Sequence, residues 1–327
     1  MASRPPLWKA GRRRFREFYA RNVRRLASKL GGPAERRVER ALLKRAWGTA
    51  SSERLGGYLV GNYQNPVINI QSILARHEFV RELGVDQPDL CEDELRWAAD
   101  KNDELRRRQK ELQRKHGTSY AGLKRSGVWQ PVYEEVMQGG DRFADAWTAA
   151  LHGQPHGALS VVEAACGSAN DYRYLVRYGL GPLLTYTGFD LTRVNIDNCR
   201  RMFPGVDFRV GDVQAIDAPD DSYDWAVAHD LLEHLSPSAM ERAVDELCRV
   251  ARRGVLVSFF SMSDIPEHRI QPKGTYHWNE LSKDRVEQRF ARHWSDIRWV
   301  HIPTYLADRY NVKDYYNTKT WTIIART

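Results

Sequence analysis

The stretch VVEAACGSAND at 161–171, followed by TYTGFD ending at Asp190, sets the strongest limit on how this chain can fold. A buried apolar run, a turn of small residues, a helix and a second strand closing on an acid is the order in which an open parallel sheet presents its ligand crevice. Asp190 stands 23 residues after Gly167, close to the separation that brings an acid to a ribose hydroxyl. The rhythm continues after Pro155. Strands are expected near 160–164, 184–189, 206–210, 224–228, 254–260, 296–302 and 320–326, with helices near 170–179, 192–203, 237–252 and 282–293. Such alternation predicts an α/β fold, a mostly parallel seven-stranded sheet covered on both faces. No helical pattern is visible between the last two strands, which therefore read as an antiparallel pair.

Ahead of that sheet, residues 33–153 read as helical. In the segment 65–83, Ile70, Ile73, Leu74, His77 and Val80 share one face, with Asn65 and Pro66 as cap and first-turn pair. His77 on that stripe is expected to be a packing residue and not a ligand. The charge-dense segment 88–116 carries a sparse seam of Leu95, Ala98, Asn102, Leu105, Gln109 and Leu112. It is expected to be a solvated helix lying on the sheet domain, with subunit pairing as the alternative. The chain thus divides into an arm (1–32), a helical region for capping, substrate or oligomerisation (33–153) and the α/β domain (154–327).

Charge sharpens the role of the arm. Residues 1–30 hold ten Lys or Arg against Glu17 alone, leaving 40 basic and 41 acidic residues in the rest of the chain. Phe15, Phe18, Tyr19, Val23, Leu26 and Leu30 fall on one helical arc opposite most of the arginines. A basic amphipathic helix of this kind docks on its own protein or lies on an anionic membrane surface; nucleic acid and a transit peptide are lesser readings. No apolar run approaches the ~20 residues needed to cross a bilayer. Cys91, Cys166, Cys199 and Cys248 fit neither a disulfide framework nor paired zinc spacings, so a reducing, cytoplasmic setting is expected, peripheral at the inner membrane face if the arm binds lipid.

The first turn departs from a dinucleotide fingerprint. GxGxxG is replaced by Ala165, Cys166, Gly167, Ser168, Ala169 and Asn170, and Glu163 adds an acid able to bind a cationic amino group. From about 155 to 262 the chain resembles the class I S-adenosylmethionine-dependent methyltransferases, which have a Rossmann-like fold. EAACGSA is similar to the first motif of that family, with Ala165 and Ala169 where glycines are commoner. GFD to Asp190, GDVQAID from Gly211, DDSYDWAVAHDLLEHL from Asp220 and CRVARRGVLVSFF from Cys248 are similar to the four that follow, although the usual proline and second glycine before the fifth strand are missing.

That resemblance implies the roles. Glu163 would hold the methionine amino group, the turn of Cys166, Gly167, Ser168 and Asn170 would line the methionine and ribose, and Asp190 would take the ribose hydroxyls. Asp212 would accept from the adenine amino group, Leu191 and Val213 would pack the base, and His229 would stand closest to the methyl. The chemistry is an in-line displacement in which the protein aligns the acceptor, and a positioned base helps where the acceptor is a hydroxyl. Asp230, His234 and His277 are the candidate bases. Asp230, Glu233 and His234 form DxxEH, similar to the ExxEH that holds a divalent ion in quinone-type O-methyltransferases, and would be ligands for Mg or Mn.

The long connection 261–281 reads as a lid or binding loop, with Trp278 as an apolar wall, and the aromatic stretch 303–319 is expected to close the same pocket. The expected reaction is O-methylation of a small molecule such as a sugar, glycan or lipid-linked acceptor. A nucleic-acid methyltransferase is the alternative; it is disfavoured because AHDLL stands where an amino-directed enzyme has an NPPY-like run. A nicotinamide-dependent oxidoreductase is the further alternative, weakened by the absent GxGxxG.

Overall fold

The computed structural model describes residues 63–274 and 276–327, with the short pieces 22–23, 37–38 and 41–42. The expectations for the arm fall outside the described residues, apart from positions 22–23. No helix among the described residues is long and apolar enough to cross a membrane.

Seven strands form the main sheet: β1 (Leu159–Ala164), β2 (Leu184–Asp190), β3 (Asp207–Val210), β4 (Tyr223–His229), β5 (Ala251–Phe259), β6 (Asp296–His301) and β7 (Trp321–Arg326). Their spatial order is β6-β7-β5-β4-β1-β2-β3. Pairs among β1 to β5 are parallel, whereas β7 runs antiparallel to both β5 and β6. The chain order turns back at β1, where β4 pairs on one side and β2 on the other. A parallel sheet opens its crevice at such a point.

Both faces are covered, and strand alternation shows how. Trp225, Val227, Leu256 and Ile324 face one core, while Val162, Ala226, Ala228, Val255 and Val257 face the other. The second core is closed by α8 (Pro237–Val250) and α9 (Lys283–Phe290). The first is continuous with the helical region, so the two share one apolar interior. That region holds α1 (Ile70–Glu82), α2 (Pro88–His116), α3 (Tyr120–Arg125), α4 (Trp129–Val136) and α5 (Asp141–Ala150). The crossovers β1–β2 and β2–β3 run through α6 (Asn170–Arg177) and α7 (Arg193–Met202).

Three expectations need correction. First, α1 starts at Ile70 and not at Asn65, because Asn69 is the residue whose side chain accepts from Gln71 N and Ser72 N. Asn65 instead caps a turn, accepting from Val67 N, and donates to the Tyr133 hydroxyl. Second, α2 is solvated on one face only, where Arg96, Asp100, Arg107, Lys110 and Glu111 are exposed. Leu95, Ala98, Asn102, Leu105 and Gln109 are buried within the chain, so the seam is spent on internal packing. Third, a helix, α10 (Ile302–Tyr310), does lie between the last two strands. Pro303 in its first turn and Ile302 and Leu306 one turn apart on its buried side form it, and Tyr305 and Tyr310 blur the pattern.

His77 is a packing residue, as expected. It is 1% exposed, and its Nε2 lies 2.8 Å from Glu94 Oε2. The same carboxylate receives Arg76 Nη2 at 2.6 Å and Trp147 Nε1 at 2.8 Å, which ties α1, α2 and α5 together. Arg76 also donates to Pro66 O and lies over the Tyr178 ring.

Candidate functional site

The turn after β1 carries three residues in the left-handed region: Ala165 at φ 56°, Gly167 at φ 57° and Ala169 at φ 61°. A side chain in that region costs about 1–2 kcal/mol, which is why glycine suits such positions and why the two alanines hold strain. The turn is fixed from below by β2. Gly167 N donates to Asp190 Oδ2 at 3.2 Å, Thr192 N donates to Asp190 Oδ1 at 2.7 Å, and Cys166 N donates to Phe189 O at 3.1 Å. Asp190 therefore stands at the crevice with both carboxylate oxygens oriented.

A cavity of about 460 Å³ opens at these strand ends. One end is bounded by Gly167, Asp190, Thr192 and Asn195, and the other by Leu231, His234, Leu235, Phe260 and Trp278. Four carboxylates line it, those of Glu163, Asp171, Asp190 and Asp230, and no Lys or Arg does so among the described residues. Asp230 Oδ1 and Asn170 Oδ1 are buried without a hydrogen-bond partner. Asp230 itself sits at φ 50°, a strained position for a residue with a side chain.

Burial without a neighbouring cation governs titration here. The Glu163 carboxyl is pushed up to about 8 by burial and by Asp171, against a lowering hydrogen bond from Tyr186. Asp190 is raised by burial, partly offset by the Thr192 and Gly167 amides. Burial, then Asp171, pushes Asp230 up to about 7. His234 is lowered by burial; its Nδ1 lies 3.1 Å from the His277 carbonyl, so the neutral ring carries its hydrogen there and leaves Nε2 bare of one.

Most of the sequence-derived positions converge. Glu163, Cys166, Gly167, Asn170, Asp190, Leu191, His229, Asp230 and His234 all line the cavity. Ser168 does not; it is buried, and its Oγ bonds Asn195 Oδ1. Asp212 and Val213 also lie off the wall. Their loop is joined to β2 through Gly211 N and Asp190 O, but the Asp212 carboxylate accepts from Gln214 N.

His277 is not on the wall either; its carbonyl oxygen lies 3.1 Å from the His234 ring. The expected metal set is absent as a set: no group of three His, Cys, Asp or Glu able to hold an ion occurs among the described residues. The reason is local. Glu233 is fully buried and does not line the cavity; its Oε1 accepts from Phe260 N at 2.7 Å and Ser261 N at 3.2 Å, while its Oε2 has no hydrogen-bond partner among the described residues.

Sequence reasoning missed the roof. Gln64, Pro66, Asn69, Gln71 and Ser72, just before and within the first turn of α1, line the same cavity. Ser72 Oγ donates to Asp171 Oδ1 at 2.8 Å, and Gln71 Nε2 donates to Trp321 O at 2.7 Å. These contacts join parts of the chain far apart in sequence. The polar Gln71 and Ser72 on an otherwise buried helix face were the one readable sign.

Comparison with known proteins agrees with this geometry. Residues 161–254 match the model of a family described as a methyltransferase domain. A phthiotriol/phenolphthiotriol dimycocerosates methyltransferase of Mycobacterium tuberculosis is 34% identical over 111 residues, covering 33% of this chain and 38% of that protein. The chain thus spans less than two fifths of the length of the curated relatives it matches. Among solved structures, an S-adenosylmethionine-dependent methyltransferase from Mesorhizobium loti aligns over 58% of this chain and all of its own, with 15% identity and a TM-score of 0.41. Magnesium protoporphyrin IX methyltransferase from Synechocystis aligns over 60% of this chain and 84% of its own, with 17% identity and a TM-score of 0.38.

Proposed function

We propose that this chain, whose residues 161–254 match the model of a methyltransferase-domain family, is a class I S-adenosylmethionine-dependent methyltransferase that transfers a methyl group from that cofactor to a hydroxyl of a small molecule. The observation that carries the reading is the lining of the cavity: four carboxylates and, among the described residues, no Lys or Arg. A sulfonium that also bears an ammonium group meets complementary charge there, whereas the pyrophosphate of a nicotinamide dinucleotide meets repulsion. The unpartnered Asp230 Oδ1 and Asn170 Oδ1 are acceptors that a ligand donor would satisfy.

S-adenosylmethionine supplies a methyl on a positively charged sulfur, an activated leaving group. Asp190 would take the ribose hydroxyls, with its oxygens held by Gly167 and Thr192, and Glu163 would take the ammonium group. Asp212 and Val213, whose loop is joined to Asp190 through Gly211, would hold the adenine. The acceptor hydroxyl would be aligned for in-line attack on that methyl, the thioether would leave with the electron pair, and the hydroxyl proton would pass to a base. We assign that proton to Asp230 or His234, the candidate bases on the wall. The DxxEH residues are not assigned a metal, since Glu233 lies off the cavity wall with its Oε1 held by backbone amides. A hydroxyl acceptor also agrees with the curated relatives, which are named for phthiotriol and phenolphthiotriol substrates.

The test is ligand-dependent melting. S-adenosylhomocysteine at 100 times its Kd adds about 2.7 kcal/mol of stability and raises Tm, whereas NAD leaves it unchanged. Asp190→Ala abolishes the shift. A shift with NAD alone would sink the assignment.

A further inference from the structure

We propose that Trp278 and Phe260, edged by His234, form the acceptor platform, and that the acceptor is an uncharged molecule presenting a ring face to Trp278 and a hydroxyl to the cavity. This rests on the methyl-transfer reading and names the class of molecule that its second substrate belongs to.

Position comes first. The sheet order puts β4 and β5 on one side of β1 and β2 on the other, so the end of β5 lies three strand spacings, roughly 14 Å, from the end of β2. Asp190 closes β2, and Phe260 follows β5 directly. The platform is therefore at the end of the cavity remote from the ribose acid, and Asp230 and His234 lie at the end of β4 between them.

Exposure is the second observation. Trp278 is 44% exposed while lining the cavity, and it is the one aromatic side chain among the large exposed hydrophobics of the described residues. Its ring centroid lies 4.9 Å from that of Phe260 and 5.5 Å from that of His234, so the indole is packed in part and open in part. An indole left in water at the mouth of a polar cavity gains from a flat apolar partner.

Rigidity is the third. Trp278 N donates to Gln271 O at 2.8 Å; on one side His277 O meets the His234 ring, and on the other Asn279 N donates to Glu233 O at 3.0 Å and Asn279 Nδ2 to Leu235 O at 2.8 Å. The ring is thus carried on a segment laced to residues 233–235. A platform set before binding loses little entropy when the acceptor arrives.

Charge supplies the exclusion. An anionic acceptor would share the cavity with Asp171 and Asp190, and with Glu163 once the ammonium group of the cofactor has displaced its proton, with no Lys or Arg among the described residues on the wall to meet it. A ring alcohol and a phenol share the chemistry required, a ring face with an attached hydroxyl.

The experiment begins with calorimetric binding of S-adenosylhomocysteine; failure there is failure of the methyltransferase reading. With binding established, label transfer from S-adenosylmethionine is measured to methyl glucopyranoside, catechol, hexane-1,2-diol and glucose 6-phosphate. Methylation of the glucoside identifies a ring alcohol, and of catechol a phenol, with the diol and the phosphate at least 100-fold slower. For the ring probe that reacts, Trp278→Ala raises KM at least tenfold, Trp278→Phe restores most of it, and the S-adenosylhomocysteine Kd is unchanged in both. The inference is overturned if neither ring probe is methylated, if the diol or the phosphate is methylated as fast, or if Trp278→Ala leaves KM unaltered.

Discussion

Tyr186 donates its hydroxyl hydrogen to the Glu163 carboxylate at 2.5 Å, from β2 to the neighbouring strand β1, with both side chains buried. The bond lowers the carboxyl while burial and Asp171 raise it, and the net position is about 8. Glu163 therefore holds its proton at neutral pH until a cation arrives to replace it. Affinity for S-adenosylhomocysteine, whose ammonium group needs the ionised form, is expected to rise as pH rises and to level off above about 8. The gain is about tenfold per pH unit between 6 and 7.5. Calorimetry at several pH values reads this directly. Glu163→Gln should flatten the profile and weaken binding at pH 8 by about 10–100-fold; a flat profile in the unmodified protein would remove Glu163 from the ammonium site.

The strained turn gives a prediction of the opposite sign. Ala165 is only partly buried and sits at φ 56°, so Ala165→Gly relieves strain without opening a cavity. A gain of about 0.5–1 kcal/mol is expected after glycine's greater freedom in the unfolded chain is subtracted. Urea unfolding of the ligand-free protein measures it, and a loss of stability would mean that the left-handed geometry is not under strain.

Glu94 is the reverse case, a buried anion that its neighbours require. Arg76 and His77 outweigh the effect of burial and hold its carboxyl down at about 2. Glu94→Ala strands the Arg76 guanidinium and is expected to cost about 3–5 kcal/mol at pH 7. Because the folded-state value is depressed, this contribution is present above the ordinary carboxylic range and fades as pH falls through about 2. Denaturant midpoints at pH 7 and pH 3 should therefore converge between mutant and parent; a constant gap would point to packing alone.

The basic segment 1–30 carries the remaining prediction. Deleting it should abolish co-sedimentation with phosphatidylserine vesicles, and raising salt from 0.05 to 0.5 M should do the same to the full chain. Binding that survives the deletion would place the lipid contact elsewhere.

Sequence and structure agree where local pattern decides. All seven strands were readable, because runs such as Val161–Val162 and Val255–Val257 are buried on both faces and interrupted by small-residue turns. The acids at strand ends were readable because chain order fixes them. What sequence hid depends on distant partners: Gln71 and Ser72 reach the cavity only because α1 packs across the sheet, and Glu233 looked like a metal ligand until the amides after β5 took it. Helix α10 was hidden for a different reason. Its apolar period of Ile302 and Leu306 is carried by two residues among tyrosines, too few to stand out.

The bridge from Gln71 to Trp321 joins residues 250 positions apart. During synthesis the roof segment leaves the ribosome early and then waits for β7, at least about ten seconds at ordinary elongation rates. Until then the cover lacks its fastening to β7. The strand added late completes the hold on a helix that Asp171 and Glu94 already engage, so the roof is secured in stages from the helical side toward the sheet.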